Sequence, residues 1–314
     1  MAPQMFAITQ RSFGGPEVLH CTQAERPQAG PGEVLVRVRA AGVNPVDAAV
    51  RAGRFPLFPE PPFALGWDVA GEVVAVGEGV TRFEVGAEVY GMPRFPEAAG
   101  AYAEYVVAPA GQLALKPAAL TTAEAGALPL AGLTAWQALV GIARIDAGQR
   151  VLIHAAAGGV GHLAVQIAKA RGAHVIATAR ADNHAFVTSL GADEVIDYTT
   201  TDFATAAGPV DVVLDLVGGE YAPRSVRTLR PGGLLVTTVG HHPGMTAEEA
   251  EQHGVRFETV FVQPSGPDLE SLGELAEAGK LRVHVGREVP LADAATAHRL
   301  GEAGSAKGKT VLIP

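Results

Sequence analysis

The residues with the clearest chemistry form a glycine-rich turn in "VLIHAAAGGVGHLAVQIAKARG" (151–172). The apolar start predicts a buried strand, and an amphipathic helix follows the turn. In such a strand–turn–helix unit, backbone N–H groups at the helix start bind the pyrophosphate of a dinucleotide. A tight turn without a ligand is the alternative, but a second strand, "HVIATA", follows at the expected distance. The predicted phosphate-binding residues are Ala157, Gly158, Gly159, Val160 and Gly161.

The end of that second strand distinguishes NADH from NADPH. An NADH site places Asp or Glu roughly 20 residues beyond the motif, where the acid binds the ribose hydroxyls. This sequence has Thr178 at that place, and Arg180 follows it. Because an arginine pairs well with a 2′-phosphate, we expect NADPH, with Thr178 and Arg180 in its site. The alternative is that Arg180 is a solvated loop residue and that Asp182 binds the ribose.

Metal-ligating side chains are scarce. A single cysteine, Cys21, excludes a disulfide framework and a Cys-based zinc cluster. His241, His242 and His253 are close in sequence, but adjacent histidines do not easily face one metal ion. His154 ends a buried strand and is predicted to be a core histidine with one hydrogen bond. We therefore predict no metal site.

The elements around these residues change in character near residue 121. Before it, "GEVLVRVRAAGV" (32–43) and similar segments alternate apolar and polar residues, as half-buried strands do. After residue 150, continuous apolar strands alternate with helices, which indicates a parallel sheet buried on both faces. Six such strands predict a doubly wound dinucleotide fold. The last of them, "VRFETVFV" (255–262), is apolar enough to pair across a dimer edge.

Composition and net charge exclude several classes of protein. A length of 314 residues favours two domains, and 48% hydrophobic with 18% charged residues is typical of a folded globular chain. The net charge of −9 argues against nucleic-acid binding. No secretory signal is evident, and Pro129 with several glycines makes 125–143 a buried helix rather than a membrane span. We expect a soluble, cytoplasmic protein.

Six sequence motifs, spread over the chain, resemble those of one protein family. They are "AAGVNPVDAAVRAG" (40–53), "LGWDVAGEVVAVG" (65–77), "GAYAEYVV" (100–107), "LPLAGLTAWQAL" (128–139), "AAAGGVG" (155–161) and "AKGKTVL" (306–312). Together they resemble the zinc-independent quinone oxidoreductase branch of the medium-chain dehydrogenase/reductase superfamily. The resemblance implies an α/β protein with a Rossmann-type doubly wound parallel sheet at 122–265. It also implies a GroES-like, mainly β catalytic domain at 1–121, completed by about 266–314, and a homodimer.

The resemblance also bears on zinc. In the zinc branch a histidine ligand stands where this chain has Trp67, and a cysteine often stands where it has Gly42. The loop 91–100 lacks the cysteines of that branch's structural zinc site. Without a Lewis acid the oxidation of a simple alcohol is difficult, because nothing stabilises the alkoxide. Quinones and α,β-unsaturated carbonyls accept hydride more readily, and relatives suggest the same small-molecule substrates.

By resemblance, the turn that contains Asn44 and Asp47 lines a cleft between the domains. The amide of Asn44 could donate to the substrate carbonyl or hold the nicotinamide ribose. Local turn chemistry alone is the alternative for both residues. Trp67 could form an apolar wall for a flat substrate or be a buried structural residue. Further cofactor contacts are implied for Thr134, which could equally be a packing residue, and for Tyr198, Val217, Val239 and Gly240.

Some positions depart from the family pattern. Several relatives carry tyrosines where this chain has Ala49 and Phe55, so we expect no phenolic proton donor from this turn. Water or the cofactor ribose would then protonate the product. A lysine that relatives use for the 2′-phosphate is replaced by Asn183, which leaves that role to Arg180.

Two other functions stay open from the sequence. One is an enoyl-thioester reductase of secondary metabolism, whose thioester arm would need a basic entrance formed by Arg51, Arg54 and Arg94. The other is a nucleotide-binding protein without turnover, since the family tyrosines are missing. Binding of NADPH without its oxidation would favour the second.

Overall fold

The computed structural model describes residues 3–55, 60–304 and 307–314. Its strands are β1 Gln4–Gln10, β2 His20–Glu25, β3 Glu33–Val43, β4 Phe63–Ala64, β5 Val69–Val76, β6 Glu88–Gly91, β7 Tyr105–Pro109, β8 Leu113–Leu115, β9 Arg150–Ile153, β10 His174–Thr178, β11 Glu194–Ile196, β12 Val210–Asp215, β13 Leu229–Thr237, β14 Arg256–Thr259, β15 Val285–Pro290 and β16 Lys309–Ile313. Its helices are α1 Pro45–Arg51, α2 Thr122–Ala127, α3 Pro129–Trp136, α4 Gly161–Ala170, α5 His184–Ser189, α6 Phe203–Ala206, α7 Tyr221–Val226, α8 Ala247–Gln252, α9 Gly266–Glu277 and α10 Ala294–Glu302. A π-helical segment, Gln137–Ile142, continues α3. Short 3₁₀ turns lie at Pro16–Val18, Ala110–Gln112, Ala181–Asn183 and Leu291–Asp293.

The chain divides into two compact units. The first comprises Met1–Leu133, Gln263–Glu277 and Val283–Pro314, and the second comprises Thr134–Val262 and Ala278–Arg282. Helix α2 belongs to the first unit because it packs on β3 and β5. A Cβ added at Gly126 would lie 2.7 Å from the Cβ of Ala40, so helix and strand approach closely there. The change in sequence pattern near residue 121 therefore marks the start of a helix that packs on the first unit's sheet.

The second unit contains a six-stranded sheet in the order β11-β10-β9-β12-β13-β14. All neighbouring strands pair in parallel. Read in chain order this is 3-2-1-4-5-6, the dinucleotide-binding arrangement, so the predicted doubly wound sheet is confirmed. Strand order reverses between β9 and β12, and ligands bind in such sheets outside the carboxyl ends at that point.

The first unit is mainly β structure. Its larger sheet runs β15-β16-β3-β5-β6-β8, with β7 also paired to β3, and a smaller sheet runs β2-β1-β4. The C-terminal strand β16 lies antiparallel to β3 and pairs Thr310 with Val43. This pairing brings the last residues of the chain beside the turn that follows β3. No helix in the described residues is both long and apolar enough to cross a membrane.

Candidate active site

The glycine turn of the second unit lies between β9 and α4, at the point where strand order reverses. Its backbone is anchored on both sides, by His154 N–H to Leu214 O at 3.1 Å and by Ala156 N–H to Thr178 O at 3.1 Å. A Cβ at Gly161 would lie 2.3 Å from Ala155 O and 2.7 Å from Ala156 Cα. Because both atoms belong to the backbone, only glycine allows α4 to start this close to the strand.

The start of α4 fits a phosphate group. Val160 at the N-cap provides no side-chain cap. Within the described residues, the backbone N–H groups of Ala157, Gly159 and Val160 form no hydrogen bond with other parts of the chain. Unpaired N–H groups at a helix start bind anions, since the helix dipole also favours negative charge there. The turn therefore suits the pyrophosphate of a dinucleotide.

Thr178 lies at the carboxyl end of β10, but its side chain faces the core. The residue is fully buried and its hydroxyl lies 3.1 Å from His154 Nδ1. The other ring nitrogen of His154 lies 2.9 Å from Ser225 Oγ. Burial lowers the pKa of His154 to about 3, so the ring is neutral at pH 7. His154 is a core histidine with two hydrogen bonds, one of them with the Thr178 hydroxyl. A contact of Thr178 with the cofactor stays a prediction.

Two of the predicted cofactor residues meet beyond β10. Arg180 is exposed and precedes the turn Ala181–Asn183, and its Nε donates to Tyr198 Oη at 3.0 Å. This bond holds the guanidinium at the strand end, where the 2′-phosphate of NADPH is expected. Asp182 lies exposed in the same turn.

The segments that follow β12 and β13 lie close together. A Cβ at Gly218 would lie 3.0 Å from Val239 Cγ1, and Gly219 N–H donates to His242 O at 2.9 Å. Val217 is 40% exposed, which is unusual for valine next to a buried strand. Gly240 directly follows Val239. Val217, Val239 and Gly240 thus follow the carboxyl ends of two neighbouring strands, where ligands of such sheets bind.

Asp215, which no sequence motif singled out, shapes that edge of the sheet. Its Oδ1 accepts the N–H groups of Val217 at 2.9 Å and Gly218 at 3.0 Å. Its Oδ2 is buried and has no hydrogen-bond partner among the described residues. Burial raises the pKa of Asp215. An acid at a strand end before two glycines was the available signal for this residue.

Thr134 is the first residue of the second unit and lies inside α3. It is largely buried. This position is compatible with simple packing, and its contact with a nicotinamide stays a prediction.

In the first unit, Asn44 follows β3 and occupies the N-cap of α1. Its backbone N–H donates to Asp47 Oδ2 at 2.7 Å, and the two residues form a capping box. The amide Nδ2 donates to Asp68 Oδ2 at 2.8 Å, and Oδ1 accepts a hydrogen bond from Lys309 Nζ. Besides this local turn chemistry, the Asn44 side chain is therefore held by two residues distant in sequence.

Asp68 and Lys309 form a buried pair of opposite charge. Lys309 Nζ lies 3.5 Å from Asp68 Oδ2 and donates to Val43 O at 2.9 Å. Asp68 Oδ1 accepts the N–H of Leu130 at 2.7 Å. Burial raises the pKa of Asp68 and lowers the pKa of Lys309, and each partner's charge opposes the other's shift. A Cβ at Gly42 would lie 2.6 Å from Asp68 Oδ2, so this position has no room for a cysteine ligand.

Asp47 ends a hydrogen-bonded chain that starts at Arg51. Arg51 Nη1 lies 2.9 Å from His298 Nδ1, and because arginine only donates, the neutral ring carries its hydrogen on Nε2. Burial and the charge of Arg51 lower the pKa of His298 to about 4. Nε2 lies 3.4 Å from Tyr102 Oη, which donates to Asp47 Oδ2 at 2.9 Å. A phenol from another segment, that of Tyr102, thus contacts the turn, although it is fully buried.

The stability of the protein should depend on the protonation of Asp47. Burial raises the pKa of Asp47 from 3.8 to about 7, and the negative charge of Asp68 also raises it. Hydrogen bonds from Asn44 and Tyr102 and the charge of Lys309 lower this pKa but do not cancel the effect of burial. The folded state therefore keeps a proton that the unfolded chain releases, and stability falls as pH rises through this window. Relative to Asp47→Asn, the wild type should lose about 3 kcal/mol between about pH 5 and about pH 8. Urea unfolding of both proteins measures this difference, and a difference independent of pH would contradict it.

The indole of Trp67 is covered by protein. It is 1% exposed, its Nε1 donates to Glu97 O at 2.7 Å, and its ring meets Phe95 edge-on at 5.0 Å. This burial agrees with a structural tryptophan, and its contact with a flat substrate stays a prediction.

Two of the three arginines that were candidates for a basic thioester entrance pair with carboxylates. Arg51 is 2% exposed and pairs with Glu302 at 2.6 Å, while Arg94 pairs with Glu33. Arg54 is exposed. Two of the three candidate arginines are therefore committed to internal ion pairs.

No group of three or more His, Cys, Asp or Glu side chains in the described residues is arranged to hold a metal ion. The residues at the zinc branch's ligand positions also do not fit zinc, since Trp67 offers no lone pair and Gly42 has no side chain. That the protein works without a metal stays a prediction.

The residues that sequence reasoning missed lie in motifs that were quoted for the family. Asp68, Tyr102 and Lys309 stand in "LGWDV", "GAYAEYVV" and "AKGKTVL". For Asp68 and Lys309 the available signal was a charged residue next to or inside an apolar strand, which needs a partner to be buried. That signal cannot identify the partner.

Comparison with known proteins agrees with this arrangement. Residues 30–118 match the family model described as alcohol dehydrogenase GroES-like domain, and residues 190–312 match the one described as zinc-binding dehydrogenase. The structure of a quinone oxidoreductase from Coxiella burnetii is 39% identical, with a TM-score of 0.92, and covers 99% of this chain and 100% of its own. The Escherichia coli quinone oxidoreductase complexed with NADPH is 31% identical, with a TM-score of 0.89 over 99% of this chain and 100% of its own.

A curated relative points in the same direction. The chloroplastic NADPH-dependent alkenal/one oxidoreductase of Arabidopsis thaliana is 35% identical over 99% of this chain and 80% of its own length. Fold, domain models and sequence identity over nearly the whole chain agree. The chain is an oxidoreductase and belongs to the quinone oxidoreductase branch of the medium-chain dehydrogenase/reductase superfamily.

Proposed function

We propose that this protein is an NADPH-dependent reductase that transfers hydride to quinones or α,β-unsaturated carbonyls without zinc. The observation that carries the proposal is the side-chain amide of Asn44. Lys309 and Asp68 hold both of its ends, and one Nδ2 hydrogen has no partner in the described chain. A fixed donor of this kind stabilises a carbonyl oxygen on which negative charge develops.

The choice of acceptor follows from the residues present. The ligand positions of the zinc branch hold Trp67 and Gly42, which fit no divalent cation, so an alkoxide would lack its usual stabilisation. An enone or a quinone delocalises the incoming charge onto an oxygen that a single amide can reach. The named activities of the relatives from Coxiella, Escherichia coli and Arabidopsis support the same acceptors.

Bound NADPH would be the source of hydride for the β-carbon of an enone or for a quinone, with a proton from water completing the reduction. The turn 156–161 would hold its pyrophosphate through backbone N–H groups, and Arg180, supported by Tyr198, would pair with its 2′-phosphate. Asn44 would donate to the substrate carbonyl oxygen.

The test is the optical measurement of NADPH and NADH oxidation with 1,4-benzoquinone and with an alkyl vinyl ketone, with and without a chelator. We expect turnover with NADPH in preference to NADH, unchanged by the chelator. Loss of activity on chelation would overturn the metal-free mechanism. Tight NADPH binding with no oxidation of it by either acceptor would favour a thioester substrate or a binding role.

Replacing Arg180 with alanine should weaken the use of NADPH and hardly affect NADH. A charge-assisted contact of about 1.5–3 kcal/mol corresponds to a rise of roughly 10–100-fold in the KM for NADPH. Steady-state kinetics with both cofactors measures it, and Arg227→Ala, which removes another exposed arginine of the second unit, is the matched control. An equal loss for both cofactors would contradict the assignment.

We also propose a homodimer in the cytoplasm. Strand β14 ends the six-stranded sheet and pairs with β13 on one side, and Phe261, just beyond it, is 46% exposed. A second copy paired along this strand would cover such an edge. Sedimentation of the wild type and of Phe261→Asp tests it, and a monomer at micromolar concentration in the wild type would contradict it.

A further inference from the structure

Lys309 lies in the motif "AKGKTVL" and contacts the Asn44 amide on which the proposed function rests. It begins β16, and the antiparallel pairing of β16 with β3 places it beside the turn that follows β3. Its ammonium is buried and has three partners: Val43 O at 2.9 Å, Asp68 Oδ2 at 3.5 Å, and Asn44 Oδ1. A buried lysine is costly, so a role at this position is expected.

The contacts with Lys309 and Asp68 determine the orientation of the Asn44 amide. An ammonium can only donate, so the atom that it contacts must be the amide oxygen. A carboxylate can only accept, so the atom that contacts Asp68 must be the amide nitrogen. A flipped amide would place its NH₂ against Lys309 and its oxygen against Asp68, which is unfavourable at both ends. Lys309 and Asp68 therefore select the same orientation.

The arrangement also changes what the Asn44 side chain can do. Asparagine at an N-cap normally accepts a backbone N–H of the first turn through Oδ1. Here Oδ1 also accepts a hydrogen bond from the ammonium of Lys309. The positive charge at Oδ1 polarises the amide and strengthens Nδ2 as a donor, because hydrogen bonds in a chain reinforce one another.

We propose that Lys309 and Asp68 are positioning residues that hold the Asn44 amide with its unshared Nδ2 hydrogen presented to the substrate carbonyl oxygen. The proposal rests on the proposed function of Asn44 as the donor to that oxygen. Lys309 itself touches neither substrate nor cofactor and acts through Asn44.

A double-mutant cycle with full-length protein tests it. Single-turnover rates of NADPH oxidation by 1,4-benzoquinone, a reactive acceptor, are measured for the wild type, Lys309→Met, Asn44→Ala and the double variant. We expect Lys309→Met to lower the rate about 10-fold or more in the wild type, with the KM for quinone changed less than about 2-fold. In the Asn44→Ala background, Lys309→Met should change the rate less than about 2-fold.

Controls separate positioning from folding. NADPH affinity by fluorescence should stay unchanged in Lys309→Met, and Lys280→Met, which removes an exposed lysine, should leave the rate unchanged. If Lys309→Met does not fold, Lys309→Met with Asp68→Asn removes both buried charges and should show the same loss of rate. In the crystal structure of either variant, the Asn44 amide should leave the orientation that it has in the wild type.

The outcomes are distinguishable. An equal loss of rate from Lys309→Met in both backgrounds would make Lys309 a structural residue and overturn the inference, while leaving the proposed function intact. An unchanged rate in Asn44→Ala alone would overturn the role of Asn44 and the inference with it.

Discussion

We expect Asn44→Ala to lower the rate of hydride transfer to an enone or quinone by about 10²–10³-fold, the usual loss when one donor to a developing oxyanion is removed. The substitution removes the amide that Lys309 and Asp68 hold in place. It does not touch the glycine turn or Arg180, so the affinity for NADPH should stay the same. Single-turnover oxidation of NADPH with an alkyl vinyl ketone, followed optically, measures the rate.

Two further variants test whether the loss of rate comes from the missing N–H donor. Asn44→Asp keeps an acceptor for Lys309 but has no N–H, so it should be about as slow as Asn44→Ala. Thr121→Ala removes the side chain that caps α2 by accepting Glu124 N–H, and should cost about 1 kcal/mol of stability without slowing hydride transfer. A rate in Asn44→Ala within about 3-fold of the wild type would contradict the donor role, since one such hydrogen bond contributes well over 1 kcal/mol.

The second large effect is on stability. Asp68→Ala should destabilise the folded protein by about 3–5 kcal/mol, because it leaves the ammonium of Lys309 buried without its counter-charge. It also removes the acceptor of Leu130 N–H and of Asn44 Nδ2. Urea unfolding at pH 7 measures the difference in the free energy of unfolding.

The matched control is an exposed ion pair in the same sheet. Glu72 lies 3.6 Å from Arg39 on the surface, and Glu72→Ala should cost less than about 1 kcal/mol. Adding Lys309→Met to Asp68→Ala removes the unpaired charge and should restore part of the lost stability. A cost for Asp68→Ala no larger than for Glu72→Ala would show that the buried pair does not stabilise the fold.

The second unit could be predicted from local sequence because its signals are local. Six apolar strands alternating with helices indicate a parallel doubly wound sheet, and the crossovers leave few other topologies. Gly161 follows directly from the turn, since any Cβ there meets backbone at 2.3 Å. Arg180 and Tyr198 were both predicted, and their contact follows from the parallel pairing of β10 and β11.

The first unit's polar site could be predicted only in part. Asn44 and Asp47 were found because they share one turn, but their partners come from other segments. Lys309 is 265 residues from Asn44, and His298 is 196 residues from Tyr102. Such pairs depend on which strands become neighbours, and no periodicity in the sequence encodes that for β16 and β3.

The sequence by itself therefore determined the family, the two kinds of domain, the nucleotide turn and the substitution of tryptophan for a metal ligand. Only the tertiary structure decided which side chains face inward. It buried Trp67 and Thr178, paired Arg51 with Glu302, and placed Lys309 and Asp68 on either end of the Asn44 amide. The reason is physical. Backbone pattern follows from local propensity and hydrophobic period, whereas the partner of a buried polar group is set by long-range packing that brings distant segments into hydrogen-bond distance.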